Sequence, residues 1–272
     1  MIEVIDRALE EDLGSGDRTS EAVVPEGATA RAVITQKQPG VIAGLRVAAA
    51  VFHRVEAGLR WHPHAEEGVW RDGGLVAELA GPARAILAGE RVALNFLGRL
   101  SGIATLTARY VSAVEGTRAR ILDTRKTTPG LRTLEKQAVV AGGGENHRSG
   151  LFDAILVKEN HSELAGGVAQ ATRLALAAAG GDLPVEVECR SLEEVREALS
   201  EGAGRILLDN MPPATMREAV ELVDGRAALE ASGGVTLDSV RAIAESGVDY
   251  ISVGALTHSA PALDVSLTLE PL

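Results

Sequence analysis

From about residue 118 onward the chain alternates short apolar runs with longer amphipathic stretches. The runs are ARILD (119–123), DAILVKEN (153–160), PVEVEC (184–189), RILLDN (205–210), AALEAS (227–232) and DYISVG (249–254). Their length and their Val, Ile and Leu content predict strands. Between them, LRTLEKQAVVAG, SLEEVREALSEG, TMREAVELVDG and LDSVRAIAESG carry helical patterns, and the last three close on glycine, as helices often do. The later runs begin at residues 184, 205, 227 and 249, a period of 21 or 22. A βα unit repeated at that period implies parallel strands with helical crossovers.

Nearly every run finishes in polar residues: Asp123 with Arg125 and Lys126; Lys158, Glu159 and Asn160; Glu186 and Glu188; Asp209 and Asn210; Glu230 and Ser232; then Gly254. In a barrel all the carboxyl ends of the strands face one mouth, where the active site lies. An open sheet brings only the strands at its switch point to a ligand. Polar tips on six successive strands therefore favour a barrel, and six strands in place of eight make it irregular. The first ~115 residues differ, with GATARAVITQKQPGVIAG reading as strands with a turn at Pro39-Gly40 and WHPHAEEGVWRDGGLVAELAGPA as two more strands joined at Asp72-Gly73-Gly74. LRVAAAVFHRV between them is an amphipathic helix, and ERVALNFLGRLSGIATLTARYVSAVEG is one or two long helices. This half is α+β, and no linker rich in Pro, Gly or Ser separates it from the second.

Composition narrows the class. The 272 residues are 46% hydrophobic and 24% charged, as in ordinary folded proteins. The single cysteine, Cys189, excludes an internal disulfide framework, fits a reducing compartment and reads as a small buried filler. The start, MIEVIDRALEEDLG, reads as a charged helix and not as a signal peptide, and no apolar stretch is long enough for a bilayer, so a cytoplasmic protein is expected. A net charge of −11 argues against general nucleic-acid binding. Residues 118–161 nevertheless hold eight basic and five acidic side chains, and LDTRKTTPGLR (122–132) and GGGENHRSG (142–150) lie there. A cationic spot in an acidic chain points to small anionic ligands.

Side chains alternate along a strand, so Glu186 and Glu188 share a face, and Glu188 and Asp209 end adjacent strands. Two carboxylates beside cations suit Mg²⁺ held on a phosphate-bearing substrate. ASGGV (231–235) and SVGAL (252–256) follow the last two strands, where backbone N–H groups of glycine turns bind phosphate. His147 and Arg148, after three glycines, form a pair able to hold a carboxylate. His62 and His64 read as surface residues; no Ser-His-Asp arrangement and no P-loop is present. The residues alone define a mouth for a phosphorylated substrate with Mg²⁺ and a second anion, without naming the reaction.

LDTRKTTPGLR, LEKQAVVAGGGENHRSGLFDAILVKENH, VEVEC, ILLDNM, LEASGGV and GVDYISVGALTHSAPALDVSL, with ALEEDLGSGDRTS, QPGVIAGL and ERVALNFLGRLSGIATLT in the first half, resemble the quinolinate phosphoribosyltransferases, the carboxylating nicotinate-nucleotide pyrophosphorylases. The resemblance covers most of the chain. It implies an amino-terminal α+β sandwich (1–103, with the tail 260–272 returning to it) and an irregular, roughly six-stranded parallel α/β barrel (104–259), in a homodimer. It implies an enzyme, a pentosyltransferase that joins quinolinate to phosphoribosyl pyrophosphate with Mg²⁺, giving nicotinate mononucleotide, pyrophosphate and CO₂ in de novo NAD synthesis. Arg125, His147, Arg148 and Lys158 would then hold the quinolinate carboxylates, with Arg91 reaching the pocket from the partner subunit. Lys126 and Lys158 would lie near the reacting groups and the pyrophosphate, and Glu188 and Asp209 would hold Mg²⁺. Ser232, Gly233, Gly254 and His258 would take the 5′-phosphate. Ser162 and Arg18 depart from the pattern, standing where apolar residues are usual. The rival readings are a same-fold paralogue tied to molybdenum uptake, a barrel isomerase or synthase on a ribosyl phosphate, and a pocket without turnover. The intact DTRKTTPG and NHR, the arginine clamp, and the acids at 188 and 209 speak against each in turn.

Overall fold

The apolar periodicities of the sequence resolve, in a computed structural model that describes residues 1–272, into twelve strands and eleven helices. They are α1 (Ile2–Leu13), α2 (Arg18–Val23), β1 (Thr29–Gln36), β2 (Gly40–Val41), α3 (Leu45–Val55), β3 (Arg60–Pro63), β4 (Trp70–Arg71), β5 (Gly74–Pro82) and α4 (Ala83–Ala113) in the first part. Then follow β6 (Arg120–Leu122), α5 (Arg132–Ala141), β7 (Ile155–Val157), α6 (Glu159–Ala165), α7 (Val168–Ala179), β8 (Val185–Cys189), α8 (Leu192–Ser200) and β9 (Arg205–Asp209). The chain ends with α9 (Pro213–Val223), β10 (Ala228–Ser232), α10 (Val240–Ala244), β11 (Tyr250–Ser252), α11 (Ala255–His258) and β12 (Val265–Pro271). Two units emerge, one of residues 1–108, 127–143 and 257–272, the other of 109–126 and 144–256.

The first unit is built on an antiparallel sheet of order β12-β1-β5-β3. Along β1, Ala30, Ala32, Ile34 and Gln36 point inward and are buried, the period-two pattern of a half-covered strand. α3 buries Val47, Ala48, Val51 and Phe52 on one stripe, and the Phe52 ring lies 5.8 Å from that of Trp61. Long-helix α4 supplies Ser101 and Thr105, whose buried hydroxyls accept from the backbone N–H groups of Ala43 at 3.0 Å and Val41 at 2.9 Å. At Gly102 of that helix a Cβ would lie 2.0 Å from the Pro261 carbonyl oxygen, so only glycine lets the returning tail approach. The α+β character expected of this half is present, with one correction. The turn at Asp72–Gly74 does not join a hairpin. β5 takes β3 as its partner, while β4 pairs with β2, and the buried Gln36 amide ties them by donating to the Gly40 and Arg71 carbonyls. Three polar turn residues mark a reversal of the chain and say nothing about which strand is hydrogen-bonded to which.

The second unit is a barrel-like six-stranded parallel sheet of order β6-β11-β10-β9-β8-β7. Each expected run is a strand, and each crossover carries helix. β9 shows why: Ile206 and Leu208 are fully buried and face the helices, each stabilising the fold by roughly 1.5–3 kcal/mol. α9 presents Met216, Ala219 and Val223 at helical spacing and starts with Pro213 at its first turn. α8 is capped by Ser191, whose hydroxyl accepts from the Glu194 N–H at 3.2 Å. The end strands β6 and β7 are not paired with each other; beside β6 the segment around Glu145 bridges Leu122 and delivers residues 146–148 to the strand ends. Cys189 is buried, as expected of a filler. Ser162, in α6, is buried with its hydroxyl unpartnered, a local cost that an apolar residue would not incur. Arg18 is exposed, 3.2 Å from the Ser15 hydroxyl. No helix is long and apolar enough to cross a membrane.

Candidate active site

At the carboxyl ends of the second unit's strands lies a cavity of about 520 Å³. Parallel strands place their last inward-facing side chains on one rim. β8 contributes Glu188, β9 Asp209, β10 Glu230 and Ser232, and β11 Ser252; the segment after β6 adds Thr124, Arg125 and Lys126. Lys158 follows β7, and His147 and Arg148 come from the loop beside β6. Of the residues singled out in the sequence, Arg125, Lys126, His147, Arg148, Lys158, Glu188, Asp209, Ser232 and Gly233 line this one cavity. Gly254 follows β11 and is not among the lining residues. His258, in α11, and Arg91, in α4, belong to the first unit; the Arg91 side chain is 64% exposed.

The cations are held close together. Burial, with Arg125 alongside, pulls the Arg148 guanidinium below its ordinary value. Two like charges kept near each other are a built-in demand for an anion. One guanidinium nitrogen of Arg148 donates to the Ala154 carbonyl at 3.1 Å, which fixes the side chain. The Lys158 ammonium lies 3.1 Å from Glu188, and the Glu159 N–H points at the other Glu188 oxygen at 3.4 Å. Asp209 accepts from the amide of Asn210 at 2.8 Å. Asn210 has φ +53, a left-handed conformation that asparagine tolerates better than most residues. Gly233 faces it with φ +98, and a Cβ there would lie 2.2 Å from the Asn210 side-chain oxygen. Glycine is required at that turn on both counts, and it leaves backbone exposed to a ligand.

Below the rim, buried Glu186 and Glu230 and half-buried Arg205 form a polar layer that touches His147. Arg205 donates to Glu186 at 3.0 Å and to Glu230, and its guanidinium stacks 4.3 Å over the Tyr250 ring. Burial, with Glu186 beside it, pushes Glu230 up to about 7. Glu186 is driven upward by its own burial, but the bond from His147 and the charge of Arg205 outweigh this and hold it below the ordinary range. His147, Glu186 and Glu230 bring their donor atoms within 4.8 Å of one another, a cluster with the spacing to chelate a divalent ion. Sequence reasoning put Glu186 on one face with Glu188 and counted Glu230 among the polar strand tips, but gave Arg205 no part. Arg205 opens its strand, and the strand-end rule looks only at where strands finish; inner-face alternation with Asp209 was the signal available.

Fold and cavity together define an enzyme of the α/β-barrel class that handles multiply anionic, phosphorylated substrates. Residues 103–268 match the model of the quinolinate phosphoribosyl transferase C-terminal domain, and residues 17–101 match that of the N-terminal domain. A probable nicotinate-nucleotide pyrophosphorylase (carboxylating) of Bacillus subtilis strain 168 is 45% identical over 258 residues, spanning 94% of this chain and 89% of the relative. The nicotinate-nucleotide pyrophosphorylase (carboxylating) of Mycobacterium leprae strain TN is 46% identical over 274 residues, spanning 98% and 96%. The crystal structure of NadC from Streptococcus pyogenes superposes with a TM-score of 0.95 at 41% identity, over 99% of this chain and 96% of that one. The chain belongs to the quinolinate phosphoribosyltransferase family, the carboxylating nicotinate-nucleotide pyrophosphorylases.

Proposed function

We propose that the cavity at the strand ends holds quinolinate and phosphoribosyl pyrophosphate side by side, and that its fixed cations are what make their meeting possible. The chain is a phosphoribosyltransferase of NAD biosynthesis. It joins the two substrates to give nicotinate mononucleotide, pyrophosphate and CO₂. The observation that carries the residue-level reading is the convergence of Arg125, Lys126, Arg148 and Lys158 with Glu188 and Asp209 on one cavity. Quinolinate is a dianion and its co-substrate is strongly anionic, so an uncharged pocket would repel the pair. Arg125, Arg148 and Lys158 hold the two carboxylates, with His147 against the ring; Lys126 and Lys158 attend the reacting groups and the pyrophosphate. The glycine turn at Ser232 and Gly233 takes the 5′-phosphate with its backbone N–H groups, and Gly254, after the next strand, completes that end.

Glu188 and Asp209 suit Mg²⁺: both are hard oxygen donors on neighbouring strands, and such an ion is held by one or two carboxylates together with substrate phosphates. The His147, Glu186 and Glu230 cluster suits it less, because a nitrogen is among its donors and Arg205 already bonds both carboxylates. When bound, Mg²⁺ supplies positive charge to the departing pyrophosphate. The protein's own part is positioning and preorganised charge. As the pyridine nitrogen bonds the ribosyl carbon, the carbon–oxygen bond to pyrophosphate breaks. The ring nitrogen becomes quaternary and draws electrons from the adjacent carboxylate, CO₂ departs, and the ring carbon takes a proton. No covalent bond to the enzyme is needed. We further read the enzyme as a cytoplasmic homodimer in which each partner lends Arg91 to the other's cavity. The exposure of Arg91 and the lone buried cysteine support this reading.

The test combines purified protein with quinolinate, phosphoribosyl pyrophosphate and Mg²⁺ and follows CO₂ and nicotinate mononucleotide together. Both form in equal amounts, and nicotinate in place of quinolinate gives little product. Comparable turnover of nicotinate would overturn the carboxylate clamp.

A further inference from the structure

We infer that Glu186, Arg205 and Glu230 form a positioning device for Arg148, acting through one fixed tautomer of His147. This rests on the reading above in which Arg148 holds quinolinate. The chain of contacts starts at the backbone. The N–H of Arg148 donates to His147 Nδ1 at 2.7 Å, and a nitrogen that accepts cannot carry a proton. The ring proton is therefore on Nε2, which donates to Glu186 at 2.8 Å. Both ring nitrogens are spent inside the protein, so His147 meets a ligand with its ring and not with a donor.

Glu186 cannot swing away from this duty. Its second oxygen receives Arg205 Nε at 3.0 Å, and Arg205 is itself anchored to Glu230 and stacked on Tyr250. The His147 backbone is pinned as well, its N–H donating to the buried Asp123 at 2.9 Å. Ring and main chain are thus fixed independently, and the fixed Nδ1 sets the plane of the peptide that leads into Arg148. With Ala154 holding one end of the guanidinium, the remaining donors are aimed before any ligand arrives. In ordinary barrels this layer is filled by branched apolar side chains. Here it is an ion network, and its use is aim.

The first measurement needs no substrate. Protein labelled with ¹⁵N in histidine is examined by long-range proton–nitrogen correlation near neutral pH, with His147 assigned by the signals lost in His147→Asn. The expected pattern is protonated Nε2 and accepting Nδ1; an Nδ1–H tautomer or rapid averaging overturns the inference. The second is kinetic. Glu186→Ala raises KM for quinolinate about ten-fold or more and changes KM for phosphoribosyl pyrophosphate by about two-fold or less, while Glu186→Gln, which keeps an oxygen for Nε2–H, falls between Ala and the parent. Equal rises in both KM values, or lower thermal stability with both KM values unchanged, would reject positioning. If Glu186→Ala does not fold, the Gln variant and the tautomer spectrum decide. A parent protein that makes no nicotinate mononucleotide refutes the proposed function, whereas the spectrum reads the tautomer regardless.

Discussion

Arg148 is held at its backbone by His147 and at its guanidinium by Ala154, in a cavity shared with Arg125. A guanidinium has five donors, so ample capacity remains for a carboxylate after one is committed. Arg148→Ala removes a charge-assisted, two-pronged contact worth roughly 1.5–3 kcal/mol, hence about 10–150-fold in KM for quinolinate. The KM for phosphoribosyl pyrophosphate changes far less, as steady-state titration of each substrate against the other will show. Equal losses in both would place Arg148 elsewhere in the chemistry. This residue was legible because it follows three glycines beside a histidine, a short cationic feature at a strand-flanking loop. The tautomer of His147 was not, since Glu186 lies 39 positions away and only the fold brings them together. A histidine next to an arginine reads as a second ligand in sequence; in space its nitrogens are already engaged.

At the scale of elements, β8, β9 and β10 carry polar inner faces stacked in layers, Glu186 with Arg205 below and Glu188 with Asp209 above. The upper layer was readable from strand ends and the 21–22-residue period. The lower was so only for Glu186 and Glu230, because a charged strand start such as Arg205 runs against the apolar filling that patterns normally signal. The β4 pairing escaped for a related reason: a two-residue strand is too short to show a period. The lower layer has a thermodynamic signature. Glu230 faces Glu186, His147 and Arg205, and its value of about 7 lies above the ordinary 4.5 of the unfolded chain. The unfolded state therefore gives up its proton first as pH rises. Glu230 therefore takes stability away between about pH 4.5 and 7, with no further change from this group above, by an amount on the order of 3 kcal/mol. Glu230→Gln imitates the protonated acid and lacks this loss. Denaturant midpoints of parent and variant should agree most closely near pH 4.5, diverge in favour of Gln up to about pH 7, and run parallel beyond. A gap that narrows over that interval would contradict a raised Glu230.

At the scale of the whole molecule, the proposed service of Arg91 to a second copy of the chain is a matter of assembly. The cavity is made by residues of the second unit, while Arg91 stands on α4 in the first with its side chain 64% exposed and no carboxylate nearer than Glu90 at 3.9 Å. An exposed arginine on a helix is ordinarily a solvated charge, and sequence alone could not separate that role from service in a second copy's cavity. Complementation can. Arg91→Ala and Lys158→Ala should each be nearly inactive as pure proteins. In a mixed dimer the two lesions fall in the same cavity if Arg91 acts across the interface, and the other cavity is intact. Random exchange makes about half of the dimers mixed, with one sound cavity of two, so activity should recover to about a quarter of the parent level. Had Arg91 served its own chain's cavity, every cavity in the mixture would carry one lesion and nothing would recover. Co-refolding the two variants and assaying nicotinate mononucleotide therefore separates a shared site from a private one. Substantial activity in Arg91→Ala alone would remove the residue from the site altogether.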